Sequence, residues 1–218
     1  MLGPMELSAP QLRVLGCLVE KQLTTPQQYP LTLNALTLAC NQTSNRDPVV
    51  HYDEGAAEEA VTQVKARGLA AFVHPSHGRS ALRFRHTLDE ALGLASRPLA
   101  LLAVLMLRGA QTPGELRLRT ERMVTFADLY EVSAELDALA SRDEPLVVRL
   151  GRASGQKEDR YAHLLGDDVP DSEAPVAATM GVEVQEPSVG LAAEVAALRA
   201  VVASLRTVVD DLRSQLGA

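Results

Sequence analysis

Thr-Pro-x-[Gln/Glu] occurs twice in this chain, in LTTPQQY at 23–29 and in QTPGELR at 111–117, each time directly after an apolar run. The runs themselves repeat. Leu12, Leu15, Leu18 and Thr25 recur as Leu99, Leu102, Leu105 and Thr112 at an offset of 87, and Val61 and Val64 recur as Leu136 and Leu139 at an offset of 75. A chain written this way is constrained to fold as two versions of one small unit. The change in offset places a loss of about a dozen residues between the first and third helices of the second copy, matching the region NALTLACNQTSNR of the first.

Each copy reads in the same order. In the first, Ser8 followed by Gln11 is a capping box, Pro10 sits in the first helical turn, and Leu12, Leu15, Leu18, Val19 and Leu23 make an apolar stripe. Thr25-Pro26 restarts a helical turn, Pro30 ends it, and LTLNALTLAC forms a second helix, so the repeated motif is expected to open helix two in both copies. Asp53 caps a third helix that Gly68 closes. LAAFVH and SALRFRH flank the turn PSHGR as a hairpin. In the second copy LALLAVLMLR is closed by Gly109, Thr112 and Glu115 form another capping box, TFADLYEVSAELDALASR is the third helix, and PLVVRL and DRYAHLL flank GRASGQKE. Three helices followed by a hairpin is the order of a winged helix–turn–helix. The expected fold class is therefore mainly α with small β-hairpins (α+β): two tandem winged helix–turn–helix domains, residues 6–90 and 91–165.

The strings GCLVEKQLTTPQQYPLTLNALTLACNQTSNRDPV and LMLRGAQTPGELRLRTERM resemble the signatures of the YceH-like family of bacterial proteins over roughly residues 6–165. The resemblance implies a tandem winged-helix fold and carries no activity or site residues with it.

Beyond the two copies, residues 166–190 contain Asp167, Asp168, Asp171, Glu173, Glu183 and Glu186 without a Lys or Arg, and read as a disordered acidic linker. From 191 to 217 a seven-residue period returns. Leu191, Leu198, Leu205 and Leu212 fall at one seam position, and Val195, Val202, Val209 and Leu216 at the other. β-Branched residues at a with Leu at d favour a parallel two-stranded coil, so a coiled-coil helix and a homodimer are expected.

Composition excludes several functions. Trp is absent and aromatics are 3% of residues, too few for base-stacking platforms. The formal charge of −7 comes almost entirely from the linker, and residues 1–165 hold 19 acids against 18 bases. Two cysteines without a CxxC, no leader-like start and no apolar run near the length of a membrane span predict a reduced, cytoplasmic chain with no membrane partner. Catalytic signatures such as GxSxG, HExxH or a P-loop are missing, so no enzyme activity, metal or cofactor is expected. His74 and His77 read as histidines of a surface turn, and Cys17 and Cys40 as core residues.

Double-stranded DNA is the leading candidate partner. The cations that would meet phosphate are Arg79, Arg83 and Arg85 in the first wing, Arg149, Arg152, Lys157 and Arg160 in the second, Arg117, Arg119 and Arg122 around the second helix of copy two, and Arg46 in the NQTSNR loop. The third helices argue the other way. One carries Asp53, Glu54, Glu58 and Glu59, the other Asp128, Glu131, Glu135 and Asp137, and carboxylates repel a phosphate backbone. The alternative is a protein–protein adaptor whose winged helices are docking platforms.

Overall fold

The computed structural model describes residues 6–74, 81–151 and 158–166, all within one compact unit of mixed α and β structure. The heptad segment 191–217, the linker beyond Gly166 and the tips of both hairpins lie outside the described residues. The first half runs α1 (Ala9–Thr24), β1 (Leu31–Thr32), α2 (Leu33–Cys40), α3 (Glu54–Ala66), β2 (Ala70–Val73) and β3 (Arg83–His86). A short α4 (Leu88–Leu92) leads into the second half: α5 (Ser96–Arg108), α6 (Pro113–Thr120), α7 (Leu129–Ala140), β4 (Val147–Leu150) and β5 (Arg160–His163).

Local chemistry sets these boundaries. The Ser8 N–H donates to Gln11 Oε1 at 3.1 Å ahead of α1. Thr112 and Glu115 cap α6 reciprocally, at 3.2 and 2.9 Å. Asp53 and Asp128 each accept the N–H three residues on, at 2.7 and 3.0 Å, and so start the two third helices. Gly68 and Gly109 follow α3 and α5 at φ 75° and 70°, a conformation that a side chain would strain.

The duplication is visible bond by bond. Leu31 pairs with Phe84 on the edge of the first hairpin, and Gln111 makes the equivalent antiparallel bridge to Tyr161. The Leu69 N–H donates to Val64 O and the Thr87 N–H to Leu69 O; in the second half Leu146 donates to Leu139 and Leu164 to Leu146. Arg83 donates to Pro30 O at 2.7 Å, and Arg160 donates to Ala110 O. Each of these arginines reaches back from the last strand to hold the segment that enters helix two. At the strand ends, His86 Nδ1 accepts from the Leu88 N–H at 3.3 Å, and His163 Nδ1 from the Leu165 N–H at 3.4 Å.

Two expectations need correction. In the first half Thr25-Pro26 opens only a 3₁₀ turn, Pro26–Gln28. Helix two is capped later, by Thr32, whose hydroxyl accepts from the Ala35 N–H at 3.3 Å. The dozen missing residues are also not one deletion that removes helix two, because α2 and α6 are both eight residues long. Seven residues are absent ahead of helix two, where the second half turns tightly at Gly109, and five after it.

The buried side chains of both halves form one continuous cluster. Its centre is the packing of α1 against α5. A Cβ added at Gly16 would stand 2.8 Å from Leu107 Cγ and 3.3 Å from Met106 Cβ, so only glycine lets the two helices approach this closely. Leu15, Leu18, Leu101, Leu102 and Leu105 are fully buried around this crossing. Gly16→Val is therefore expected to destabilise the fold by about 1–3 kcal/mol through overpacking, read as a lower urea midpoint with an unchanged slope. A midpoint equal to the parent's would refute the tight crossing.

The histidine pair gives a second expectation. Burial lowers the pKa of His86, and lowers that of His163 to about 4. An unfolded histidine takes up its proton near the ordinary 6.5. Below that pH the unfolded chain therefore binds more protons than the folded one. The stabilisation is complete above about pH 6.5 and is lost as pH falls towards 4. His163→Gln is expected to lose less of its urea midpoint between pH 7 and pH 5 than the parent does; equal losses would contradict a neutral buried imidazole.

Candidate functional site

Arg46 leaves the set of candidate phosphate contacts. Its side chain is buried and every N–H is engaged. Nε donates to Ala39 O at 3.0 Å. Nη1 donates to Glu20 Oε1 at 3.1 Å and Asn45 O at 2.8 Å. Nη2 donates to Glu20 Oε2 at 2.6 Å and Gln42 Oε1 at 3.0 Å. Burial opposes the charge, but the Glu20 carboxylate outweighs it and holds the guanidinium above its ordinary pKa. With five donors used, no hydrogen-bonding edge remains for an external ligand.

The rest of loop 41–53 is built the same way. Asn41 and Tyr52 close its neck with reciprocal bonds of 2.7 and 2.8 Å. Buried Arg13 donates to Pro48 O at 2.6 Å, and the Asp47 N–H donates to Leu107 O at 2.9 Å. The loop straps α1 to α5. Cys17 and Cys40, both fully buried, hydrogen-bond each other beneath it; that bond and burial together push the Cys40 thiol up.

Most of the other candidate arginines also hold the protein's own acceptors. Arg83 and Arg160 are the two clamps already described. Arg85 pairs with Glu90 at 3.0 Å, and Arg149 donates through Nε to Asp159 at 2.9 Å. Arg117 donates to Ala127 O at 3.0 Å, and Arg119 to Glu115 at 3.3 Å. Among the described residues, only Arg122 of this set has no protein acceptor; it is exposed. Arg79, Arg152 and Lys157 lie outside the described residues, as do the proposed dimer contacts Leu191 to Leu216.

Arg119 and Arg122 do converge, on a cavity of about 150 Å³ at the junction of the halves. The last turns of α1 and α5 supply Glu20, Lys21, Thr24, Leu107 and Arg108; the strap supplies Gln42, Ser44 and Asn45; α6 and the turn that follows it supply Arg119, Arg122 and Met123. Lys21 and Arg108 escaped the sequence reading because a cation in the last turn of a helix is ordinarily a partner of the helix dipole. A signal was present, since the offset of 87 that relates the first helices also relates Lys21 to Arg108.

Two further features lie on the surface. Leu38 on α2 and Leu118 on α6 occupy the same place in the two second helices and are 64% and 67% exposed. Leu129 and Tyr130, at the start of α7, are 49% and 80% exposed. Among the described residues, no group of three or more His, Cys, Asp or Glu side chains is placed to hold a metal, and no helix is long and apolar enough to cross a membrane.

Replacing Arg46 by Ala would strand the Glu20 carboxylate and several loop acceptors. A loss of about 3–5 kcal/mol in urea unfolding is expected, against about 0.5 kcal/mol or less for Arg122→Ala. Similar losses for the two variants would show that Arg46 is not the internal tie described.

Comparison with known proteins places the chain. Residues 7–156 match the family model described as "Protein of unknown function, DUF480". The chain is 47% identical over 208 residues to a UPF0502 protein of Pelobacter propionicus, covering 89% of this chain and 94% of that protein. It is 51% identical over 164 residues to a UPF0502 protein of Geobacter sulfurreducens, covering 75% and 74%. A UPF0502 protein of Geobacter metallireducens is 48% identical over 180 residues, covering 82% and 81%. With most of its length matched by the family model and by full-length relatives near half identity, the chain belongs to the DUF480 family of bacterial proteins, whose members include the UPF0502 proteins.

Proposed function

We propose that this chain is a cytoplasmic, tandem winged-helix protein that acts by binding a macromolecule rather than by catalysis, paired into a dimer through its C-terminal heptads. The repeated order of three helices and a hairpin, with the segment before helix two paired to the last strand in each half, by a short strand in the first and a single bridge in the second, supports the winged-helix reading. The domain boundaries at 6–90 and 91–165 follow from that repeat, although the two cores are fused.

The partner is a protein segment that is basic and carries an apolar anchor. The carrying observation is the pair Leu38 and Leu118, exposed at matching places on the two second helices. In the first half Asn34, one turn before Leu38, donates to Glu54 at 3.3 Å, which joins the leucine to the acidic outer face of Glu54, Glu58 and Glu59. In the second half the Arg117–Ala127 bond draws the end of α6 to the start of α7, near exposed Leu129 and Tyr130. Leu129 also forms one rim of a hollow of about 310 Å³ between Pro113, Gly114 and Tyr161, a receptacle for a side chain of the partner. Aromatic and aliphatic anchors of this kind dominate protein interfaces.

The second reading is duplex DNA, favoured by one observation: exposed Arg122 lines the junction cavity together with Lys21, Arg108 and Arg119. A salt titration on a random duplex of about 30 base pairs separates the two. Phosphate contact by about six cations predicts a slope of about −5 in log K against log salt. The docking reading predicts no measurable binding at about 50 mM salt, together with a purified partner whose affinity drops about tenfold or more on Leu118→Asp. A steep salt slope with an indifferent Leu118→Asp would reverse the assignment.

A further inference from the structure

We propose that the cavity at the junction of the two halves is a binding site for a compact phosphate-bearing small molecule. This inference stands independently of whether the outer faces dock protein or DNA. The lining holds four cations, Lys21, Arg108, Arg119 and Arg122, and one carboxylate, Glu20. Glu20 is already neutralised by Arg46, which grips both of its oxygens at 2.6 and 3.1 Å, with Lys21 a further 3.6 Å away. Arg119 shares Glu115 with the α6 cap. Among the described residues, Arg108 makes no ion pair: its Nη1 donates to the neutral Asn45 Oδ1 at 3.0 Å, and its Nε is buried without a partner. Burial and the neighbouring Arg119 charge lower its pKa against the opposing pull of Asp47 and Glu115.

The neutral groups are oriented to match. The carbonyl oxygen of Gln42 accepts from Arg46, and that of Asn45 accepts from Arg108. Among the described residues, both N–H groups of each amide remain uncommitted. The Ser44 hydroxyl adds another donor on the same wall. The cavity therefore offers donors and positive charge, with an apolar floor of Val104, Leu107 and Met123. Three guanidinia and an ammonium around one point suit a di- or trianion with several acceptor oxygens, which is phosphate chemistry rather than a lone carboxylate. The volume is sufficient for a phosphate with a small organic residue. The strap that builds one wall belongs to the first copy alone, so the site exists once per chain and not once per repeat.

The test uses the full chain and two probes, inorganic phosphate and pyrophosphate, titrated calorimetrically at constant ionic strength with chloride as the balance. One saturable site per chain is expected. Arg122→Gln breaks no described hydrogen bond of the protein, so it should fold as the parent does and weaken binding about tenfold or more. Arg117→Gln, which removes an exposed cation that does not line the cavity, should leave it unchanged. Absence of saturation with either probe, or equal weakening by both variants, would overturn the site. So would displacement of the probe by a random duplex, which would give the cations to a nucleic-acid backbone.

Discussion

The crossing of α1 and α5 at Gly16 is the contact on which the rest of the molecule depends. Each half alone has a small core, and the surface that would otherwise stay exposed on its first helix is buried by the first helix of the other. Because Gly16 has no side chain, Leu107 enters that space and the apolar clusters merge. The merger has a chemical consequence. The C-terminal turns of both first helices, each carrying a cation, are brought to one place, and like charges gathered there must be screened by something.

The strap answers part of that demand. Arg46 and Arg13 tie loop 41–53 to α1, Asn41 closes its neck, and the buried Arg46–Glu20 pair is well satisfied, with every guanidinium N–H directed at an acceptor. A buried ion pair of this kind is weak evidence for net stability, since an apolar replacement of the same volume can do as well. Its effect is on position: Arg46 fixes the loop against α1, and the amide oxygens of Gln42 and Asn45 are held by Arg46 and Arg108.

Much of the architecture was legible in the chain. The repeated leucines, the caps at Asp53 and Thr112, the closing glycines and both hairpins were all readable, because each depends on chemistry within a few residues. What was not legible depended on distant partners. Thr25 and Thr112 look alike in sequence, yet only Thr112 caps a helix. The extra residues before α2 leave room for a 3₁₀ turn and let Thr32 take that role. The acceptors of the arginines were hidden for a related reason. A guanidinium in a loop or on a strand reads as a phosphate contact until its acceptor is known. Glu20 lies 26 residues from Arg46, and Pro30 lies 53 residues from Arg83.

The repeat also shows which features diverged and which did not. Arg83 and Arg160 perform the same task in both halves, as do His86 and His163, so these are requirements of the unit itself. In place of the strap the second half has only the shorter loop 121–128, and Arg119 of α6 and Arg122 just beyond it correspond to no cation in the first, where Ala39 and Gln42 stand at those places. Divergence is therefore concentrated where the two copies meet around one cavity. Two like modules that only needed to be held together would require nothing there but apolar contact, which the α1–α5 crossing already provides. The added loop and the added charges are features of the junction over and above cohesion, and a charged hollow is the feature they have in common.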